Sequence, residues 1–248
     1  SNAATLVNGP TFVTDVPAFS NSYSINLDGT NDYATSAFDA DTIIGTGDFT
    51  YSIWVKYDAI TNHRNLGGLV NSGNSDFMRI QTIYTTTDYI RASFNQDNGT
   101  TFHVGQAAVV DDTWYNIVVT RTGTTGELWL NGVSQATGTN AAIGTDLDSA
   151  TLLLGAYTAS DLGYNHKGLL DEVSIWDTKL TDAEVAAIYN SGTPINLASD
   201  SGNYASSDNL VGWWRFEENT GTTVADSSTK SNTLTLTNGP TFSTDTPS

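Results

Sequence analysis

The chain has 248 residues, with 9 lysines and arginines against 27 aspartates and glutamates, so its formal net charge is −18. This charge excludes nucleic-acid binding that depends on phosphate contacts. The nine cationic residues are too few and too scattered to predict a basic surface, so we expect no anionic partner. No run approaches the roughly 18 apolar residues of a membrane-spanning helix, and we expect no membrane insertion. The absence of cysteine excludes a disulfide scaffold and a four-cysteine zinc site.

The polar composition predicts a mostly β protein. There are 38 threonines, 22 asparagines, 22 glycines and 22 aspartates, but only 5 glutamates and 4 lysines. Strands and turns favour the first group of residues, whereas helices favour the second. Aspartates at turns can hold Ca²⁺ together with backbone carbonyls. The alternative is an acidic surface that is only solvated.

Short strands separated by Gly, Asn and Asp follow one another at regular spacing, which is typical of an all-β sandwich or jelly roll. The clearest strand is 49–55, because large apolar residues alternate there with smaller or polar ones. One short helix is predicted after Thr181, which fits a capping box with Glu184. The other predicted strands are 24–27, 33–36, 78–83, 89–95, 101–104, 115–121, 127–130, 151–156 and 169–176.

The two ends of the chain carry an internal repeat. Residues 5–17 and 235–247 are identical at 10 of 13 positions, with an offset of 230 residues. We interpret 1–248 as a single domain cut from a tandem array so that its ends overlap, and a duplicated linker is the alternative. The two copies compete for one position in the fold. We expect the N-terminal copy to occupy it, because that copy runs without a break into the predicted strand 24–27.

Several motifs, in order, resemble one known family. The segment 25–33 contains Leu-Asp-Gly-Thr-Asn-Asp, 114–132 ends in Leu-Trp-Leu-Asn-Gly, and 167–176 reads Lys-Gly-Leu-Leu-Asp-Glu-Val-Ser-Ile-Trp. These motifs resemble laminin-G-like, pentraxin-related jelly-roll domains of the concanavalin A-like lectin/glucanase superfamily. In that family the counterpart of 210–228 comes first, whereas here it comes last. This difference predicts a circularly permuted order of strands.

The resemblance implies an all-β fold, a two-sheet antiparallel jelly-roll sandwich with one short helix. It also implies a structural calcium ion at the rim of the sandwich. Its ligands here would be Asp171 on the last core strand together with Asp28, the Gly29 carbonyl and Asp32 in the early turn. Such oxygen ligands suit Ca²⁺. The alternative is that Asp28 and Asp32 only fold the turn through bonds to the backbone.

No catalytic motif is found, although the same superfamily includes glucanases. A retaining glycosidase needs two carboxylates about 5–5.5 Å apart on one face, and no Glu-x-Asp-x-x-Glu string occurs. Glu217 and Glu218 are adjacent, so in a strand they would point to opposite faces. The three histidines are isolated, and there is no G-x-S-x-G or H-E-x-x-H motif. We expect no enzymatic activity.

A carbohydrate-binding face is the main functional prediction, because the middle strands supply aromatic, amide and carboxylate groups. Arg79 and Gln81 are two residues apart and share one face of a strand, as do Tyr89 and Arg91. An ordinary solvated sheet face is the alternative. The six tryptophans are interpreted as packing residues. The candidate glycan-binding residues are Asn71, Asp76, Arg79, Gln81, Tyr84, Tyr89, Arg91 and Asn95.

The repeat is also compatible with a purely structural or adhesive module. Weak sites on tandem units gain avidity from their high effective concentration, so a spacer array and a glycan-binding array do not exclude each other. We expect an extracellular location, on a cell surface or a viral appendage. The expected partners are a glycan or a surface protein, together with neighbouring repeats of the same chain.

Overall fold

A computed structural model describes residues 19–95, 99, 101–144, 146–160 and 164–248. Within these residues the chain forms two antiparallel sheets of eight strands each, which pack face to face as a jelly-roll sandwich and confirm the predicted fold class. The elements in chain order are β1 (Ser24–Asp28), β2 (Tyr33–Ser36), α1 (Ala40–Ile43), β3 (Phe49–Tyr57), β4 (Arg64–Val70), β5 (Phe77–Ile83), β6 (Tyr89–Asn95), β7 (Phe102–Ala108), β8 (Trp114–Thr122), β9 (Thr125–Leu130), β10 (Val133–Thr139), β11 (Thr151–Leu154), β12 (Lys167–Trp176), α2 (Asp182–Tyr189), β13 (Leu210–Trp214), β14 (Thr223–Val224), β15 (Leu234–Thr237) and β16 (Thr241–Ser243).

The core lies between the two sheets. In the first sheet the strand order is β10-β9-β8-β3-β12-β1-β16, with β13 also paired to β12; in the second it is β14-β15-β2-β11-β4-β5-β6-β7. Tyr51, Ile53 and Val55 of β3 are fully buried in this core, and Met78 and Ile80 of β5 meet them from the second sheet. Because side chains alternate along a strand, every second residue of these strands faces outward.

The outer face of the first sheet carries a second apolar cluster. Val118, Trp129, Trp176 and Trp213 project from four different strands and are all buried. Five of the six tryptophans of the chain are buried, which confirms their interpretation as packing residues. We refer to the apolar cluster on the outer face of the first sheet as the tryptophan cluster; its buried members are Val118, Trp129, Trp176, Leu180, Val185, Ile188, Leu197, Tyr204, Leu210 and Trp213.

Helix α2 covers this cluster, and it is the helix that the sequence predicts. The capping box is present: Thr181 N donates to Glu184 Oε2 at 2.9 Å, and Glu184 N donates to Thr181 Oγ1 at 3.3 Å. Asn190 ends the helix in the left-handed conformation, at φ 43°. Tyr189 stacks on Trp54 of β3, with 5.8 Å between the ring centroids. The helix is thereby held against the sheet.

Strands β4 and β10 escape the sequence pattern. In β4, Gly68 lies so close to β5 that an added Cβ would come within 2.1 Å of the Met78 carbonyl oxygen. A glycine gives no apolar or polar signal to an alternating pattern, so β4 is hidden in the sequence. Strand β10 is an edge strand whose residues are mostly exposed, and none of them is fully buried.

The C-terminal copy of the repeat completes both sheets. Strand β15 pairs with β2 and β16 pairs with β1, both in antiparallel register. Leu236 is buried in the core. Asp245 accepts hydrogen bonds from Lys56 Nζ at 2.7 Å and from Trp114 Nε1 at 2.9 Å. The prediction that the N-terminal copy holds this position is therefore wrong, and residues 5–17 lie outside the described part of the chain.

The physical reason is visible in the strand that precedes the C-terminal copy. Val224 of β14 pairs with Leu234 of β15, so this copy reaches β2 as one arm of a hairpin. Leu234 is fully buried, whereas the residue at the corresponding position before the N-terminal copy is Ala4. An extra buried leucine contributes about 1.5–3 kcal/mol. Local pairing and burial thus both favour the C-terminal copy.

Candidate functional site

The outer face of the second sheet is polar. Gln81 lies opposite Arg91, Arg79 lies opposite Ser93, and Ser93 lies opposite His103 in the β5–β6 and β6–β7 registers. The alternate residues of the same strands point inward to the core. We refer to this surface as the outer polar face; its members are Asn65, Arg79, Gln81, Arg91, Ser93 and His103.

A continuous hydrogen-bond network runs across this face. Ser93 Oγ donates to Gln81 Oε1 at 2.8 Å and therefore accepts from His103 Nδ1 at 2.9 Å, because a hydroxyl has a single hydrogen. Gln81 Nε2 donates to Asn65 Oδ1 at 3.1 Å, and Arg91 Nη2 donates to Gln81 Oε1 at 3.4 Å. The amide oxygens are used inside the network. The groups left for a ligand are mainly N–H donors.

An open cavity of about 370 Å³ lies on this face. Two of its walls are aromatic: the Tyr157 and Tyr164 ring centroids are 6.0 Å apart, and Tyr164 lies 6.2 Å from His63. His63 Nδ1 accepts from Tyr84 N at 3.0 Å, so the neutral ring carries its hydrogen on Nε2. We refer to this cavity as the tyrosine cavity; it is lined by His63, Arg64, Asn65, Gln81, Ile83, Arg91, Tyr157 and Tyr164.

Arg79 braces one wall of the tyrosine cavity. Its guanidinium carbon lies 4.2 Å from the centroid of the Tyr157 ring and 3.9 Å from that of Phe77, and its Nη2 donates to Asn74 Oδ1. The side chain is 2% exposed. This burial lowers the pKa of Arg79 to about 10. The two ring contacts offset part of that desolvation and hold Tyr157 in place.

A second cavity of about 360 Å³ opens on the same face, above β2, β11 and the end of β4. Its floor includes Val70 and Leu153, which belong to a small apolar cluster with Phe77 and Ala156. Its rim is lined by hydroxyl and amide side chains, namely Thr35, Asn71, Ser72, Ser149, Thr151, Thr158 and Ser160. The face therefore has two neighbouring depressions, one of them with aromatic walls.

Three of the eight predicted glycan-binding residues, Arg79, Gln81 and Arg91, lie together on the outer polar face. Asn71 and Asp76 instead close the turn between β4 and β5, where Asn71 Nδ2 donates to Asp76 Oδ2 at 2.8 Å. Asn71 also lies on the rim of the second cavity. The structure thus divides the predicted set between the sheet face and its turns.

The remaining three predicted residues lie at the ends of β5 and β6. Asn95 Nδ2 donates to the Gly99 carbonyl at 2.8 Å and to Thr101 Oγ1 at 2.9 Å, which ties down the loop after β6. Tyr84 and Tyr89 flank the turn between β5 and β6, and Tyr84 is exposed. None of the three lines the tyrosine cavity.

Sequence reasoning missed several residues that line the site. Asn65 lies on the hidden strand β4, two residues before Gly67. Tyr157 and Tyr164 lie between β11 and β12, on a connection without a periodic pattern. Asn65 N donates to the Tyr164 carbonyl at 2.8 Å, which brings this connection to the sheet. Only a long-range contact of this kind identifies these residues.

The predicted calcium ligands do not converge. Asp28 lies opposite Lys167, four residues along β12 from Asp171, which is about 13 Å at the rise of a strand. Asp28 Oδ1 accepts from Thr30 N at 2.7 Å, and Asp32 Oδ2 accepts from Asp28 N at 3.1 Å. These two carboxylates fold the turn that also contains Gly29, as the alternative interpretation predicts. Asp28, Gly29, Asp32 and Asp171 therefore do not form one site.

Asp171 has a separate set of oxygen neighbours. Its Oδ2 accepts from Asn21 Nδ2 at 2.9 Å, and its Oδ1 accepts from Glu172 N at 2.8 Å. Burial, together with the charges of Glu172 and Glu217, raises the pKa of Asp171 well above its usual range. Asn21 Oδ1 is buried without a partner among the described residues. A hard cation fits this donor chemistry of carboxylate and amide oxygens.

Glu172 is buried beside Asp171 because β12 contains a bulge there, with Glu172 at φ 45°. Its carboxylate accepts from Trp213 Nε1 at 2.5 Å and from Arg215 Nε at 3.3 Å. Burial raises the pKa of Glu172 to about 7, although Arg215 opposes that shift. The cavity beside it has a volume of about 10 Å³, which is room for a water molecule and not for a sugar.

A further acidic cluster is found at the surface. One carboxylate oxygen each from Asp41, Asp146 and Asp148 lies within 4.8 Å of the others. The charge of Asp146 contributes most to raising the pKa of Asp41. The three side chains are exposed or half-buried, as is common for carboxylates that hold no ion.

Solved structures with the same fold include carbohydrate-binding proteins and a pentraxin. A candidate carbohydrate-binding protein from Bacteroides ovatus superposes with a TM-score of 0.69 at 18% identity, over 92% of this chain and 62% of that one. The heptameric SAP-like pentraxin from Limulus polyphemus gives 0.61 at 12%, over 91% and 96%. The CBM40 of the Ruminococcus gnavus IT-sialidase, bound to α2,3-sialyllactose, gives 0.53 at 18%, over 67% and 95%. At these identities the likeness shows the fold alone, and this chain spans less than two thirds of the Bacteroides ovatus protein.

No curated protein sequence matches this chain. Among the described residues, no helix is long and apolar enough to cross a membrane. The family model Laminin_G_3, of the concanavalin A-like lectin/glucanases superfamily, matches residues 28–186, which is more than half of the chain. With the jelly-roll sandwich and the motifs on its strands, this match shows that the chain belongs to the concanavalin A-like lectin/glucanases superfamily.

Proposed function

We propose that this chain is a non-catalytic carbohydrate-binding module and that its ligand site is the outer polar face of the second sheet. The observation that carries the proposal is the tyrosine cavity, where the rings of Tyr157 and Tyr164 stand beside amide and guanidinium donors. Sugars present apolar C–H faces and a rim of hydroxyls, so they need this combination of groups. The carbohydrate-binding structural neighbours support the assignment.

The hydrogen-bond network defines how a sugar would be held. Asn65 uses its Oδ1 to accept from Gln81, and its Nδ2 donates to no described residue. Arg91 donates a single long bond, at 3.4 Å, to Gln81. Both side chains line the tyrosine cavity and keep donors for ring or hydroxyl oxygens of a ligand. Their positions are fixed in advance by the sheet, which lowers the entropy cost of binding.

A non-catalytic role is supported by the location of the carboxylates. In the part of the chain that the structure describes, no aspartate or glutamate forms a wall of the tyrosine cavity. The adjacent carboxylates Asp171 and Glu172 lie beside a space of about 10 Å³, and Glu172 is held by Trp213 and Arg215. Glycoside hydrolysis requires two carboxylates that flank the scissile bond. We expect no release of reducing sugar from any glycan that binds.

A calcium ion is proposed at Asp171 and not at the Asp28 turn. Reorienting the Asn21 amide would direct its unpartnered Oδ1 towards Asp171, where Glu217 adds a second carboxylate. When bound, the ion would neutralise a buried acidic pair and fix the segment before β1. The test is the melting temperature with calcium and with chelator. Asp171→Asn should abolish the rise caused by calcium, whereas Asp28→Asn should keep it; equal loss in both, or no rise in the parent protein, would remove this part of the proposal.

The module is proposed to act outside the cell as one unit of a repeated array, on a cell surface or a viral appendage. The support is the near-identity of 5–17 and 235–247 and the gain in avidity that repeated weak sites obtain. A spacer without any glycan site is the second candidate, because an array of closed sandwiches also serves as a stalk. Failure to bind any member of a broad glycan array in millimolar calcium would favour the spacer.

The decisive experiment measures glycan binding after substitutions on the outer polar face. A glycan array identifies ligands, and isothermal titration then compares the parent protein with Tyr157→Ala and Gln81→Ala. Each should lose at least about tenfold in affinity, because a stacking ring or the centre of the network is removed. Gln135→Ala, an exposed glutamine on the edge strand β10, is the matched control and should bind normally. Equal affinity in all four proteins would place the site elsewhere.

A further inference from the structure

Cationic side chains gather on one face of this acidic protein. The chain has five arginines and a net charge of −18, yet Arg64, Arg79 and Arg91 all lie on or beside the outer polar face. They come from the adjacent strands β4, β5 and β6. The expectation that the cationic residues stay scattered therefore does not hold in three dimensions. Sheet register brings together residues that are 12 to 27 positions apart in the sequence.

These three arginines have no carboxylate partners among the described residues. The four ion pairs there involve Lys56, Lys167, Lys179 and Arg215 instead. The Nε atoms of Arg64 and Arg91 are buried without a hydrogen-bond partner. By contrast, Arg121 donates to the Gly45 and Gly47 carbonyls. Arg64 Nη2 donates to Thr61 Oγ1 at 3.4 Å, and Arg91 Nη2 donates to Gln81 Oε1 at the same distance. The guanidinium groups of Arg64 and Arg91 are therefore held by long hydrogen bonds and by no carboxylate among the described residues.

The same groups are partly desolvated. Burial lowers the pKa of Arg64 and of Arg91, and burial together with the charge of Arg91 lowers the pKa of His103. A cation that has lost water and gained no anion is left in an unfavourable environment. An anionic ligand group in the tyrosine cavity would supply the missing interaction. No aspartate or glutamate among the described residues lines that cavity to repel it.

We infer that the tyrosine cavity selects a sugar that carries a carboxylate, such as a uronic acid or a nonulosonic acid. This inference rests on the proposed function, because it names the ligand class of the same site. A planar carboxylate accepts two parallel hydrogen bonds from a guanidinium. Arg64 and Arg91 both line the cavity, and the hydrogen bonds that their Nη2 atoms donate, to Thr61 and Gln81, are long, at 3.4 Å. Tyr157 and Tyr164 supply the apolar contact for the sugar ring.

The test uses pairs of glycans that differ in one acidic group. Isothermal titration compares trigalacturonate with its methyl ester, 3′-sialyllactose with lactose, and 3′-sulfolactose with 3′-sialyllactose. At least one carboxylated member should bind ten or more times tighter than its neutral counterpart, and added salt should reduce this ratio. A sulfated ligand that binds tighter than both carboxylated ones would overturn the choice of carboxylate.

Two charge-removing variants and one control complete the test. Arg91→Gln and Arg64→Gln should each reduce the acidic-to-neutral ratio to about threefold or less, while Lys230→Gln, which removes one exposed charge at the β14–β15 turn, should leave it unchanged. Neutral and acidic members that bind equally in the parent protein would overturn this inference and leave the proposed function standing. No binding to either member of any pair, nor to any array glycan, would overturn both.

Discussion

The outer faces of the two sheets are built in opposite ways. The first is closed by α2 and the segment after it, which bury three tryptophans in the tryptophan cluster. The second is left open, with arginines, amides and two depressions of similar size. Tryptophan is the largest aromatic side chain that can stack on a sugar ring, but the tryptophans of the first sheet are buried by packing. The comparison shows that the outer face of the first sheet is buried by packing, whereas the outer face of the second sheet, where we propose the ligand site, stays open.

The largest expected effect comes from truncating a tryptophan on the outer face of the first sheet. Trp176 is fully buried and its Nε1 donates to Tyr204 Oη at 3.0 Å. Trp176→Ala should lower the free energy of unfolding by about 3–5 kcal/mol, measured by urea unfolding. Trp114→Ala, at a half-buried tryptophan outside the cluster, should cost less than half as much. Equal losses would mean that the tryptophan cluster is not a distinct source of stability.

A second prediction tests whether the second sheet is closed by the C-terminal copy of the repeat. Leu236→Asp places a charge in the core and should lower the free energy of unfolding by at least about 3 kcal/mol. Leu6→Asp, at the equivalent position of the N-terminal copy, should change it by no more than about 0.5 kcal/mol. The reverse order would restore the N-terminal copy to the sheet, and chemical denaturation of both variants decides between them.

A third prediction concerns pH and a buried histidine. His166 is completely buried, with its ring 5.5 Å from Tyr57, and burial lowers the pKa of His166 to about 3. The unfolded chain binds this proton below about pH 6.5 while the folded chain does not, so stability is lost as the pH falls. Between pH 7 and pH 5 the loss due to His166 should be about 2 kcal/mol.

The check is a comparison of variants at the two pH values. His166→Phe should lose about 2 kcal/mol less than the parent protein between pH 7 and pH 5 in urea unfolding. His63→Gln, which removes an exposed histidine from the cavity wall, is the comparison variant. If the two variants behaved alike, protonation of His166 would not limit stability in acid.

The smallest expected effect is a gain in the free energy of unfolding. Arg91 is half-buried and makes one long hydrogen bond, so Arg91→Met should raise the free energy of unfolding by about 0.5 kcal/mol while glycan affinity falls. Arg121→Met is the contrasting control, because Arg121 donates to the Gly45 and Gly47 carbonyls. It should cost at least about 2 kcal/mol. A loss of stability at Arg91 as large as that at Arg121 would show that the open face also supports the fold.

Much of the fold could be predicted from the sequence because it is encoded locally. Alternating apolar residues identify β3, β8 and β12, and the capping box at Thr181 identifies α2. The errors arise where local signals are missing or equal. Gly67 and Gly68 hide β4, and two near-identical copies at the chain ends carry the same local signal. The choice between the copies depends on Leu234 and its hairpin, which lie outside the repeated segment.

The candidate site was predictable only in part, because it depends on register. The spacing of Arg79 and Gln81 reveals their shared face, but not that Asn65 and Arg91 lie opposite Gln81 on the two neighbouring strands. The predicted calcium set fails for the same reason, since four residues of register separate Asp28 from Asp171. Patterns along one strand specify a face. Contacts between strands specify which side chains meet on it.

The antiparallel pairing of β1 with β16 has a mechanical consequence. Both strands leave the sandwich at the same end, where Ser24 lies opposite Ser243 and Ser24 Oγ donates to the Asp245 carbonyl at 2.6 Å. A tensile load applied across this end reaches the hydrogen-bonded pairs one after another, so β16 peels from β1 instead of shearing along its whole length. Peeling needs less force than shearing, because few bonds resist at any moment. In the array that we propose, a stretched module would therefore yield at its closing strands first and absorb load by lengthening.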